Sequence, residues 1–176
     1  KHIYIIGIRS CAPLASFMAF YFTLMFPNVH LIQTSSSSEI FEQMVRIGKE
    51  DVIIGISFPR YSMRTLKAME FANNRSAKVI TLTDSVHSPM NLYSSCNLIA
   101  DSDMASIVDS LVAPLSVINA LIVALCMKKQ NEVAKTLEML EDIWDEYQVY
   151  ENDEINYIDD SIKMRYGKVG DAELYE

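Results

Sequence analysis

Residues 51–72 read DVIIGISFPRYSMRTLKAMEFA, and the order of residue types in this stretch decides the architecture. Val52–Ile56 is a near-continuous apolar, β-branched run, as expected for a strand buried on both faces. FPR then turns the chain, and a helix follows from about Ser62 to Asn73. Strand, short loop and helix form one half of a parallel crossover unit. The same succession recurs on either side. Ile3–Ile8 is a second apolar run, and Pro13 after it suits a first helical turn, opening a helix through about Met25. Val29–Gln33 reads as a strand, and the serines at 35–38 offer an N-cap to a helix from about Glu39 to Gly48. Val79–Thr83 and Asn97–Ala100 complete five strands. Two long helical stretches follow, roughly Ala105–Lys128 and Glu132–Val149.

Five strands with intervening helices predict an α/β three-layer sandwich around a five-stranded parallel sheet. Right-handed crossovers leave few arrangements, of which the flavodoxin-like order 2-1-3-4-5 fits best. In that order a crevice opens at the carboxyl ends of strands one and three. It selects two loops, Gly7–Cys11 and Ser57–Arg64.

Those loops place Arg9, Arg60 and Arg64 around one crevice, with hydroxyls from Ser10, Ser57 and Ser62. Each leads into a helix N-terminus, where free N–H groups and the dipole favour an anion. Guanidinium groups hold phosphate or carboxylate in bidentate fashion. Singly, each residue has an ordinary reading too: a solvated arginine at a strand end, a serine as a cap. Their joint occurrence at the switch point argues for a ligand site. Cys11 at a helix start reads as a small packed side chain, and the serine run at 34–38 as a loop and cap or a ligand contact.

Composition narrows the classes further. Half of the 176 residues are hydrophobic, enough for a core and against wholesale disorder. Cys11, Cys96 and Cys126 are odd in number and irregularly spaced, which excludes a disulfide framework and points to reduced, cytoplasmic thiols. With only His2, His30 and His87 besides, no metal site is expected, and no cofactor motif is present. Residues 1–137 carry twelve Lys and Arg against ten Asp and Glu, whereas 138–176 carry three against thirteen. The acidity therefore sits in the tail, which does not suit nucleic acid. Ser10–Gln33 and Ser110–Met127 are uncharged, but prolines interrupt both, and they read as buried helices rather than membrane spans.

On these stretches the sequence resembles the sugar isomerase (SIS) phosphosugar-binding domain, in the form carried by MurR/RpiR-family transcriptional regulators. The matching segments are IYIIGIRSCAPLA, DVIIGISFPRYSMRTLKAMEFA and AKVITLTDSVHSPMNLYSSCNLI, within residues 1–127. The resemblance implies a phosphosugar or related anionic effector and adds Ser88, in a loop that borders the ligand, to the site residues. It also implies an N-terminal helix-turn-helix domain ahead of this fragment, through which alone DNA would be bound. Two departures stand out. The family's G-x-G-x-S after the first strand becomes Gly7, Arg9 and Cys11. Its S-x-S-G-x-T-x-E after the third becomes Ser57, Pro59, Arg60, Ser62 and Arg64, so a glycine and an acid have both become arginine.

Aldose–ketose isomerisation needs a base within reach of the substrate carbons. The crevice loops hold no Glu or His, and Asp84 and His87 are the nearest candidates, each readable as a plain loop residue. A non-catalytic effector sensor is therefore expected, with a phosphosugar isomerase or an enzyme-regulating subunit as the alternatives. The helix SLVAPLSVINALIVALCM is apolar on nearly every face and needs covering all round, which suggests a homodimer. Val133, Leu137, Leu140 and Trp144 recur at helical spacing in the next segment. The expected organisation is one sensing domain over 1–150 and an acidic extension over 151–176.

Overall fold

The computed structural model describes residues 1–34, 36–102 and 110–150. The strands are β1 (Ile3–Gly7), β2 (Val29–Ile32), β3 (Val52–Ile56), β4 (Lys78–Thr83) and β5 (Cys96–Ile99). The helices are α1 (Ala12–Met25), α2 (Ser37–Gln43), α3 (Met63–Asn74), α4 (Val112–Lys128) and α5 (Gln130–Glu146). All strand pairs are parallel, and the sheet order is β2-β1-β3-β4-β5, as the sequence predicts. The chain divides into two compact units, Lys1–Val133 and Ala134–Glu176. The expected extension 151–176 and the start of the predicted Ala105–Lys128 helix lie outside the described residues.

The pleat sends alternate side chains to opposite faces of the sheet, and each face has its own core. Ile5, Ile54 and Leu82 meet Leu14, Met18 and Phe22 of α1 and Ile118 and Ile122 of α4. Tyr4, Ile6, Ile53 and Val79 meet Ile40 of α2 and Ala68, Met69 and Ala72 of α3. Helices on both faces explain why β1 and β3 read as near-continuous apolar runs rather than as alternating ones.

Element ends differ from the sequence reading at a few places. Helix α2 starts two residues earlier than expected and stops at Gln43 rather than Gly48. Beyond Gln43 the hydrogen bonds tighten to three-residue spacing, with Val45 N–H donating to Glu42 O and Ile47 N–H to Met44 O. Ser36 is its N-cap residue, but no serine side chain makes the cap bond. Helix α4 begins at Val112 with Pro114 in its first turn, where the missing N–H breaks no intrahelical bond. It buries Pro114, Ile118 and Ile122 and leaves Val112, Val123 and Met127 exposed. Helix α5 carries the expected apolar row, yet none of its residues is buried.

What positions the candidate site is the β1–β3 pairing. Gly7 stands in register with Ile56, so the chain leaves both strands side by side at the same level of the sheet.

Candidate functional site

After Gly7 the chain makes a tight turn over Arg9–Cys11 that runs into α1. A Cβ on Gly7 would lie 2.6 Å from the Cys11 carbonyl oxygen and 3.1 Å from the Ala15 Cβ. Glycine is thus required here because the first turn of α1 folds back onto the strand end. Arg9, in that turn, has φ 59°, in the left-handed region that favours glycine. Across the sheet, Arg60 has φ 63°. Both arginines stand where the family pattern has glycine, and both keep the glycine-type backbone. That conformation costs a residue with a Cβ roughly 1–2 kcal/mol. Strain of this kind, held by surrounding structure, concentrates at functional sites.

The second loop is braced by its serines. Ser57 is buried, and its Oγ accepts the Ser62 N–H at 3.0 Å. Ser62 in turn caps α3, its Oγ accepting the Thr65 N–H at 3.3 Å. Ser88 is also buried; its Oγ lies 2.9 Å from the Thr83 Oγ1 and accepts the Met90 N–H at 3.2 Å. These hydroxyls thus shape the loops; Ser57 and Ser62 keep capacity for further bonds, whereas Ser88 is also bonded to Tyr61. Ser10, by contrast, is exposed, as are Arg9, Arg60 and Arg64, the last on the first turn of α3.

The two loops meet across a narrow recess lined by Ser10 and Cys11 from the first and Phe58 and Pro59 from the second, with Ser102, Ser110 and Leu111 beside them. It has room for about one water molecule, so a sugar would lie over it rather than within it. Ser102 is buried, and among the described residues its Oγ has no hydrogen-bond partner.

The structure therefore brings together Arg9 and Ser10 with the 57–64 loop. Ser88 belongs to the neighbouring loop after β4 and connects through Thr83 to Asp84, whose Oδ1 lies 3.0 Å from the Thr83 Oγ1. Asp84 Oδ1 also accepts the Tyr61 hydroxyl at 2.9 Å. Tyr61 and Ser102 are the residues sequence reasoning missed. Tyr61 sits inside the SFPRYS string, but its partner is 23 residues away and no spacing rule links them. Ser102 lies in DSD after β5, with no local signal of burial. Among the described residues the ion pairs are Lys1–Glu50 and Lys129–Glu132, and none of the three arginines is paired.

Tyr61 has a consequence for pH. Burial first, then its bond to the Asp84 carboxylate, pushes the phenol above the usual tyrosine value, against a smaller lowering by Ser88. Below about pH 10 the phenol is protonated in both folded and unfolded chains. Above that, the unfolded chain ionises first, so the stabilisation is lost as pH rises through the folded value. Urea denaturation of Tyr61→Phe is expected to show a smaller loss of stability between about pH 9 and about pH 11 than the parent chain does.

A family model described as the SIS domain matches residues 1–124. The chain belongs to the SIS domain family. Over 98 residues this SIS domain is 32% identical to an uncharacterized HTH-type transcriptional regulator of Caldanaerobacter subterraneus subsp. tengcongensis, a match covering 53% of the chain and 35% of that relative. The matched stretch thus spans about a third of the relative's length. In fold, the SIS domain is similar to the sugar isomerase domain of the RpiR transcription factor from Sphaerobacter thermophilus. That likeness has TM-score 0.76 and 21% identity, over 81% of this chain and 79% of the other. The Vibrio vulnificus NanR protein complexed with ManNAc-6P is similar at TM-score 0.69 and 18% identity, over 81% and 56%. Among the described residues no cluster of three or more potential metal ligands occurs, and no single helix is long and apolar enough to cross a membrane.

Proposed function

We propose that this SIS domain is the effector-sensing part of a cytoplasmic DNA-binding transcriptional regulator, and that it binds a phosphosugar without turning it over. The observation that carries the reading is the pair of loops after β1 and β3, which present three arginines that pair with no carboxylate among the described residues. A relative named as an HTH-type regulator, and a fold shared with the RpiR transcription factor and with the NanR protein complexed with ManNAc-6P, support it. DNA contact then falls to an N-terminal helix-turn-helix domain in the parent protein. The loops contain no Glu or His, and the Asp84 carboxylate is engaged by Tyr61 and Thr83, which disfavours the isomerase reading. The ligand would engage Arg9, Ser10, Arg60 and Arg64 over the recess, with Ser57, Ser62 and Ser88 holding the loops or donating a further hydrogen bond. The exposed side of α4 supports a homodimer, whose geometry would set the spacing of paired DNA-reading domains.

Thermal denaturation with ManNAc-6P and other sugar phosphates tests this. A ligand at 100 times its dissociation constant adds about 2.7 kcal/mol. The rise is expected to be lost in Arg60→Ala and Arg64→Ala, with no isomerised product by NMR and a dimer by sedimentation on the same samples. Product formation would establish the isomerase reading instead.

A further inference from the structure

We propose that His2 and His30 form a two-histidine site for a divalent late transition metal ion, Cu(II) or Ni(II), at the end of the sheet opposite the effector crevice. The proposal does not depend on the phosphosugar reading above.

The strand ladder places the two rings. Tyr4 of β1 stands in register with His30 of β2, and the pleat sends His2, two residues before Tyr4, to the same face. The rings form a row: His2 and His30 stack with centroids 5.1 Å apart, and His30 stacks on Tyr4 at 4.9 Å. Tyr4 is buried and anchors one end of the row. The His2 backbone is held on both sides by the start of β3. Its N–H donates to Asp51 Oδ1 at 2.8 Å, and its carbonyl accepts the Val52 N–H at 3.0 Å. Asp51 is itself buried, its Oδ2 accepting the Gly48 N–H at 2.9 Å. Both histidines thus stand on backbone that the sheet fixes, the placement that makes a site precise, while the residues themselves stay exposed.

His2 Nδ1 lies 2.8 Å from His30 Nε2, so one ring donates to the other. In the other tautomer of the donor ring both nitrogens offer lone pairs, and a cation takes the place of the proton between them. With metal–nitrogen bonds of about 2.0–2.1 Å, two imidazoles at a right angle on one ion stand about 2.9 Å apart, and at a tetrahedral angle about 3.3 Å. The observed separation fits the right angle, which is the square-planar or tetragonal arrangement of Cu(II) and Ni(II). A small turn of each exposed ring aims its lone pair. Nearby charge is mixed: Asp51 stands behind His2, Lys1 is paired with Glu50, and Arg46 is the cation whose field reaches Tyr4. Water completes the coordination sphere. Two protein ligands make an exchangeable site, unlike the closed four-ligand kind that holds a fold together, and the ion would tie the start of β1 to β2.

The test is calorimetric titration with Ni(II), with thermal denaturation alongside, on the chain with its amino terminus acetylated so that the terminal amine cannot ligate. The parent is expected to bind one Ni(II) at least about tenfold more tightly than His2→Ala or His30→Ala. Ni(II) is also expected to raise the melting temperature of the parent and of neither variant. His87→Ala and Cys96→Ser, which remove other exposed ligands, are expected to keep both effects. Undiminished binding in the two pair variants, or no binding to the parent at millimolar Ni(II), would overturn the site. A loss in only one of the pair would show ligation by a single histidine and overturn it as well. A loss in His87→Ala or Cys96→Ser would place the ion elsewhere.

Discussion

Gly7→Ala is expected to lower the unfolding free energy by about 1–3 kcal/mol and to remove any effector-dependent rise in stability. The added Cβ would stand 2.6 Å from the Cys11 carbonyl oxygen and 3.1 Å from the Ala15 Cβ. Both obstacles belong to the turn and helix that carry Arg9 and Ser10. Relief therefore means moving the start of α1 away from β1, which opens the apolar contacts of Leu14, Ala15 and Met18 beneath it. Gly55 provides the contrast. There a Cβ would meet the sulfur of Met69, the far part of a flexible side chain that can swing aside, so Gly55→Ala is the milder change. Urea denaturation of the two variants, with and without a sugar phosphate, reads the difference. A Gly7→Ala protein within about 0.5 kcal/mol of the parent would show that the turn shifts freely and that its shape does not position the site.

The double variant Arg9→Gly/Arg60→Gly is expected to change stability in the opposite direction. Relief of two left-handed arginines returns about 1–2 kcal/mol each. The greater freedom of glycine in the unfolded chain takes back about 0.5–1 kcal/mol each. The balance is a gain of roughly 1–2 kcal/mol for the pair, read by the same denaturation. Loss of stability instead would mean that the guanidinium groups make stabilising contacts within the folded chain, and that no ligand is needed to explain them. Increased stability with lost affinity is the pattern of a site held in strain for function.

The strand order and both loops were legible because they depend on short-range signals. Val52–Ile56 announces a two-face-buried strand by composition alone, and the number of strand–helix repeats with right-handed crossovers leaves one natural order. The ends of α2 were not legible. Its last turn tightens where Met44 and Ile47 drop into the core beneath it, a packing demand that helix propensity does not contain. Arg9 and Arg60 were visible as charges and as departures from a glycine pattern. That both retain the glycine backbone was not visible, because φ is decided by how the loop must close between a strand end and a helix start.

By itself, then, the order of apolar runs, turns and helical stretches determined the sheet, its switch point and the residues that face it, since periodicity and crossover handedness act along the chain. Tertiary structure decided what those residues do. It turned Ser57, Ser62 and Ser88 into braces, joined Tyr61 to Asp84 across two loops, and buried Ser102 beside the recess. It also left Val112, Val123 and Met127 of α4 exposed. Each of these depends on groups far apart in sequence coming within hydrogen-bond or van der Waals reach, and such contacts exist only once the sheet has set the distances between its loops.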